Sequence, residues 1–138
     1  MLQQTWSMRL IRFSAIFGLV GAVLGSHMAG SGSYAFRPIH AHIVLVSWLS
    51  VFAWGAFYRM YEVRAKKLIS LQGWSAMIGS IGLTGGMWLQ FLQPFDISKG
   101  ISLGLYIVGG SVLLLSFALF IAVTFMIDRE ATFNRGRL

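Results

Sequence analysis

The chain has 138 residues, 57% hydrophobic and 11% charged, with a mean hydropathy of +0.73; a soluble domain carries about 25% charged residues, so water is excluded as the main solvent of this surface and the bilayer takes its place. Its net charge of +7 comes without any basic stretch interleaved with aromatics in a polar setting, so nucleic acid is not an expected partner. The absence of cysteine excludes disulfides, zinc–thiolate centres, iron–sulfur clusters and thioether-linked haem.

Four apolar segments follow one another. A spanning helix needs about 20 predominantly apolar residues, and in lipid each segment must pair its own backbone groups. The expected class is therefore an all-α membrane protein. It is a four-transmembrane-helix bundle, one domain over 1–138, with helices at about 10–29, 38–60, 68–92 and 101–127. The first segment has Arg9 and Arg12 ahead of it and Gly25-Ser26 near its end, as a signal peptide would. Three further spans follow, so it is read as a retained helix. Gly18, Gly21 and Gly25 lie at helical spacing, where small residues let backbones approach closely.

The connection "AGSGSYAFR" (29–37) is turn-forming. It leads to Pro38, which suits a first helical turn because its missing N–H would be unpaired there anyway. The second segment ends in the basic loop "RMYEVRAKK" (59–67). The third carries Gly79, Gly82, Gly85 and Gly86, with Trp74 and Trp88 near its two ends as interfacial anchors. The loop "QPFDISKG" (93–100) precedes the fourth segment, and the tail "DREATFNRGRL" is polar and expected to fray.

Orientation follows from the basic residues. One side holds Arg9, Arg12, Arg59, Arg64, Lys66, Lys67, Arg129, Arg135 and Arg137; the other holds Arg37 and Lys99. Both termini and the middle loop are expected to be cytoplasmic, in a bacterial inner membrane.

All three histidines, His27, His40 and His42, fall at the Arg37 side. Ionisable or polar residues within spans are functional candidates by default, and neutral imidazole suits haem iron, copper or zinc. His40 and His42 are two apart, about 200° round a helix. If the backbone is helical, one ring faces a cofactor and the other a different neighbour. If it is irregular, both rings can grip one metal. Arg37 stands three residues before His40, placed to meet a carboxylate such as a haem propionate.

The stretch "RPIHAHIVLVSWLSVFAWGAFY" (37–58) resembles the start of a helix in subunit I of the haem–copper oxidases, in the C-type oxidase and nitric-oxide reductase flavour. More closely still, Pro38-x-His40-Ala41-His42 and the ending Gly55, Phe57, Tyr58, Arg59 resemble short four-helix membrane proteins described as oxidase subunit I-like. The resemblance covers about 50 residues, and the third and fourth segments share only hydropathy with it. It implies haem b with His40 as an axial ligand. This chain has no histidine after position 42, so a copper–haem binuclear centre is not expected.

The expected function is thus a membrane b-type haem protein for electron transfer or for gas or redox sensing. Its second axial ligand would come from His27 or from a symmetry-related His40 or His42. Expected partners are the lipid bilayer, a quinol or periplasmic cytochrome, and further copies in a homodimer or homotrimer. The alternative is a non-catalytic accessory or assembly subunit of a respiratory oxidase, binding copper at the outer-face histidines with Met28 beside His27. No acid, base or nucleophile lies within the spans, so hydrolytic chemistry is not expected.

Overall fold

The structure, a computed structural model, describes residues 1–135. Four long helices follow in order: α1 (Leu2–Ser31), α2 (Arg37–Met60), α3 (Lys66–Leu92) and α4 (Lys99–Thr124), then a short α5 (Arg129–Arg135). Among the described residues there is no strand, and one isolated antiparallel bridge pairs Val63 with Ile127. Arg137, one of the basic residues in the orientation argument, lies outside the described residues.

Helices α1, α2 and α4 are long and apolar enough to cross a membrane. α3 is as long, at 27 residues, but carries Gln72, Ser75, Ser80 and Thr84 among its glycines. All four of these polar side chains are buried. The reason is position: α3 packs against α1, α2 and α4, so much of its surface meets protein rather than lipid.

Glycines decide both close helix pairs. Along the antiparallel α1–α2 seam, Gly18 faces the Trp48 indole, Gly21 faces Val44 and Gly25 faces His40. Deeper in the same seam, Gly55 lies against Ile11, and the Ser7 hydroxyl donates to the Gly55 carbonyl at 2.7 Å. α3 and α4 meet backbone to backbone, with Gly79 on Leu113, Gly82 on Gly109 and Gly86 on Tyr106. A β-carbon at any of these would displace main chain, so close approach here requires glycine.

Two apolar clusters fill the bundle. At the end holding the termini are Trp6, Leu10, Val51, Trp54, Tyr58 and Ile69. At the other end are Ile39, Ile43, Leu83, Met87 and Leu113. The first cluster encloses a polar pin. Gln3 Nε2 donates to the carbonyls of Tyr58, at 2.8 Å, and Tyr61, while Gln3 Oε1 accepts the Val63 amide at 3.0 Å. One side chain thereby satisfies carbonyls that the end of α2 leaves unpaired. The Tyr58 hydroxyl donates to Gln72 Oε1 at 2.9 Å, and Gln72 Nε2 donates to Ser116 Oγ at 3.3 Å.

Three boundaries differ from the sequence expectation. α1 begins at Leu2 rather than near residue 10, because Gln3 and Trp6 have partners in the fold: Trp6 lies on Gly73, where there is no side chain to exclude it. α4 ends at Thr124, short of residue 127. Of the tail expected to fray, 136–138 lie outside the described residues and Arg129–Arg135 form α5. Asp128 starts it: its Oδ1 accepts the Ala131 amide at 3.2 Å, and Thr132 Oγ1 accepts the Glu62 amide at 3.0 Å.

Candidate functional site

α2 starts at Arg37 with Pro38 in its first turn, and the His40 amide donates to the Phe36 carbonyl at 2.8 Å. The backbone is helical through His42, so the two rings diverge and do not share one metal.

His40 turns to α1. A β-carbon at Gly25 would stand 3.1 Å from His40 Cε1, so the ring is seated in the space that glycine leaves. Its Nδ1 is buried without a hydrogen-bond partner. His42 turns to α4 instead. Its Nδ1 lies 2.8 Å from the Pro38 carbonyl oxygen. A carbonyl only accepts, so that contact makes Nδ1 the protonated nitrogen and leaves the Nε2 lone pair free. The ring lines a cleft of about 280 Å³ with Val46, Leu83, Gly110, Leu113 and Phe117. The inner limit of the cleft is aromatic: Trp54 stands edge-on to Phe117 at 4.7 Å and near Phe120 at 5.5 Å.

Immediately after His42 the helix widens into a π-helical stretch, Ile43–Ser50. The Ser50 hydroxyl donates to the Leu45 carbonyl at 2.9 Å, five residues back. π segments are rare and frequent at functional sites. This one sets the angle between the histidines and the inner half of α2.

The other two candidates stand apart. His27 is exposed, its ring edge-on to Phe36 at 6.0 Å. It is two residues beyond Gly25, about 200° round α1, and so leaves the face that meets His40. Its neighbour Met28 is buried at 8% exposure, which turns the thioether away from the exposed imidazole. Arg37 is exposed, with its guanidinium 5.0 Å from the Tyr34 ring centroid. Among the described residues no three of His, Cys, Asp and Glu gather closely enough to hold a metal ion.

These residues fit one axial bond to a haem iron. An imidazole whose far N–H is held by a backbone carbonyl is the usual arrangement of a metal-bound histidine, and His42 has it. They do not enclose a whole haem, because about 280 Å³ falls below the ~300–1,000 Å³ of pockets that bury small molecules. Sequence reasoning missed the Pro38 carbonyl and the α3 and α4 wall of the cleft. The first carried a signal: Pro38 and His42 are four apart, one helical turn.

No protein-family model matches the chain, and no curated protein or solved structure matches it. The resemblance to oxidase subunit I therefore rests on the Pro38–His42 element and the ending Gly55, Phe57, Tyr58, Arg59 alone.

Proposed function

We propose that this chain is a four-span protein of the bacterial inner membrane, with both termini and the loop after α2 cytoplasmic, and that it binds haem b near the start of α2 for electron transfer or for gas or redox sensing. The observation that carries the haem reading is His42: its Nδ1 lies on the Pro38 carbonyl and its ring lines an apolar cleft. Counting α3 as a span rests on its exposed stripe. Trp74, Ile78, Ile81 and Trp88 are exposed and apolar, and their spacing places all four on one face of the helix.

Haem bound there would supply one-electron chemistry. The chain's own contribution is to hold the ligand tautomer through Pro38, to keep water from the cleft with Val46, Leu83, Leu113 and Phe117, and to present one imidazole. No second imidazole of the same chain lines that cleft. Any second ligand to the iron would be a histidine of another copy in a homo-oligomer, or a gas. Electron partners in this reading are a quinol or a periplasmic cytochrome.

Purification in detergent after expression with haem precursor tests it. The preparation is expected to be red with a Soret band. His42→Ala should remove most of the band, and His40→Ala should leave most of it. The reverse pattern would return the ligand to His40, as the resemblance implies, and a colourless wild-type protein would end the haem reading.

A further inference from the structure

The basic end of the bundle carries nine of the eleven Lys and Arg residues against three acids, Glu62, Asp128 and Glu130. The chain has four acidic residues, and one of them, Asp96, lies in the loop at the opposite end. Asp128 is engaged by Arg64 at 3.2 Å. Arg9, Arg12, Arg59, Lys66 and Lys67 are all exposed.

Where α1 and α3 meet, one of these cations, Arg9, sits beside an indole pair. Trp6 is 2% exposed, packed on Gly73. The Arg9 guanidinium lies over its ring at 5.1 Å, and Trp74 meets it edge-on at 5.5 Å. Trp74 is itself 52% exposed. Lys67 is seven residues before Trp74, about 20° short of two full turns, so both occupy one face of α3 with the lysine about 10 Å nearer the helix start. Below Trp74 the same face continues as exposed Ile78 and Ile81. Along α3 the surface thus runs from Lys67 through a half-exposed indole, with the Arg9 guanidinium beside the indole pair, to bare aliphatic side chains. That is the polarity sequence of an anionic phospholipid, from phosphate through glycerol to acyl chain.

We propose that this α1–α3 surface is a binding site for an anionic phospholipid, with Arg9 and Lys67 on the phosphate and Trp74 against the glycerol and upper acyl chain. Arg supplies paired donors to phosphate oxygens and Lys a point charge. The site is independent of haem, since it lies on α1 and α3 at the opposite end from the histidines.

Tryptophan quenching in vesicles tests it. The protein is placed in phosphatidylcholine vesicles holding a minority of phosphatidylglycerol brominated on its acyl chain, or the same fraction of brominated phosphatidylcholine. The difference between wild type and Trp74→Phe isolates the Trp74 signal. Each basic residue near an anionic surface is worth roughly fivefold in local lipid preference, so Trp74 should report a several-fold preference for phosphatidylglycerol. Arg9→Gln/Lys67→Gln should bring it to parity. Equal quenching by the two lipids in wild type, or a preference unchanged in the double variant, would overturn the proposal. So would displacement of the lipid by inorganic phosphate, which would make the site one for a free anion. Should the double variant fail to insert, Lys67→Gln alone, an exposed change at a helix start, is expected to reduce the preference by about the single-charge factor.

Discussion

At the residue scale, the glycines divide sharply by what stands opposite them. Gly109 lies against the backbone of Gly82 and Leu83, whereas nothing stands within 4 Å of a β-carbon placed on Gly104. Gly109→Ala should force α3 and α4 apart and destabilise the protein by about 1–3 kcal/mol. Gly104→Ala on the same helix should be neutral or stabilising by up to about 1 kcal/mol, because alanine is the better helix former. Thermal unfolding of the two variants in one detergent gives the comparison. A second residue-scale expectation concerns the polar pin. Tyr58→Phe strands the buried Gln72 Oε1, at a cost of about 1–3 kcal/mol, while Gln72→Leu strands the Tyr58 hydroxyl, removes the donor that Ser116 Oγ accepts from, and should cost more. The sequence showed glycines at helical spacing; it could not show which of them meet a backbone, because that depends on the neighbouring helix.

At the scale of elements, two features escaped the sequence for the same reason. The π stretch Ile43–Ser50 lies in a run of apolar residues with no local mark of its register. Its winding answers to the seats that α1 offers at Gly18, Gly21 and Gly25. The terminal helix α5 is made of polar residues, and it is held by partners distant in sequence. The Arg64 amide donates to the Met126 carbonyl at 3.0 Å, and the Asp128 amide to the Glu62 carbonyl at 2.8 Å. The Ala131 amide holds the Asp128 carboxyl below the usual carboxylate range, and Arg64 adds to this, against a smaller opposing effect of desolvation. A depressed carboxylate contributes stability above its unfolded-state value and loses it as pH falls through the folded one. The protection of the Arg64 and Ala131 amides, relative to their intrinsic exchange at each pH, should therefore fall as pH drops below the ordinary carboxylate range. Asp128→Asn should show the lower protection already at neutral pH and lose that acid dependence. Hydrogen-exchange measurements across the two pH values check both statements.

At the scale of the whole molecule, the open question is how many helices cross the bilayer. α1 has 30 residues, about 45 Å, against a hydrocarbon core of about 30 Å. The excess equals about ten residues, and with that excess at the N-terminal end Arg9 lies at the interface. The chain has no cysteine, so single-cysteine labelling is clean. With four spans, a membrane-impermeant maleimide should label Ser33→Cys and Ser98→Cys in intact cells, and Ala65→Cys and Thr132→Cys only after lysis. If α3 does not cross, Thr132→Cys will instead label from outside. All four segments read as spans from the sequence, whereas three of the helices are long and apolar enough to cross. α3 is not among them, because it carries polar residues that its protein neighbours bury.

Composition by itself determined the solvent and the secondary structure: a chain this apolar must satisfy its backbone internally, and helices do so whatever their neighbours are. It also placed three histidines at one end, since positions along successive spans alternate between the two sides. Only the tertiary structure decided that His40 turns to Gly25, that His42 turns to a cleft built by α3 and α4, and that His27 turns to neither. The physical reason is that depth along a helix is a property of one segment, whereas the direction of a side chain becomes an environment only once other helices are set around it.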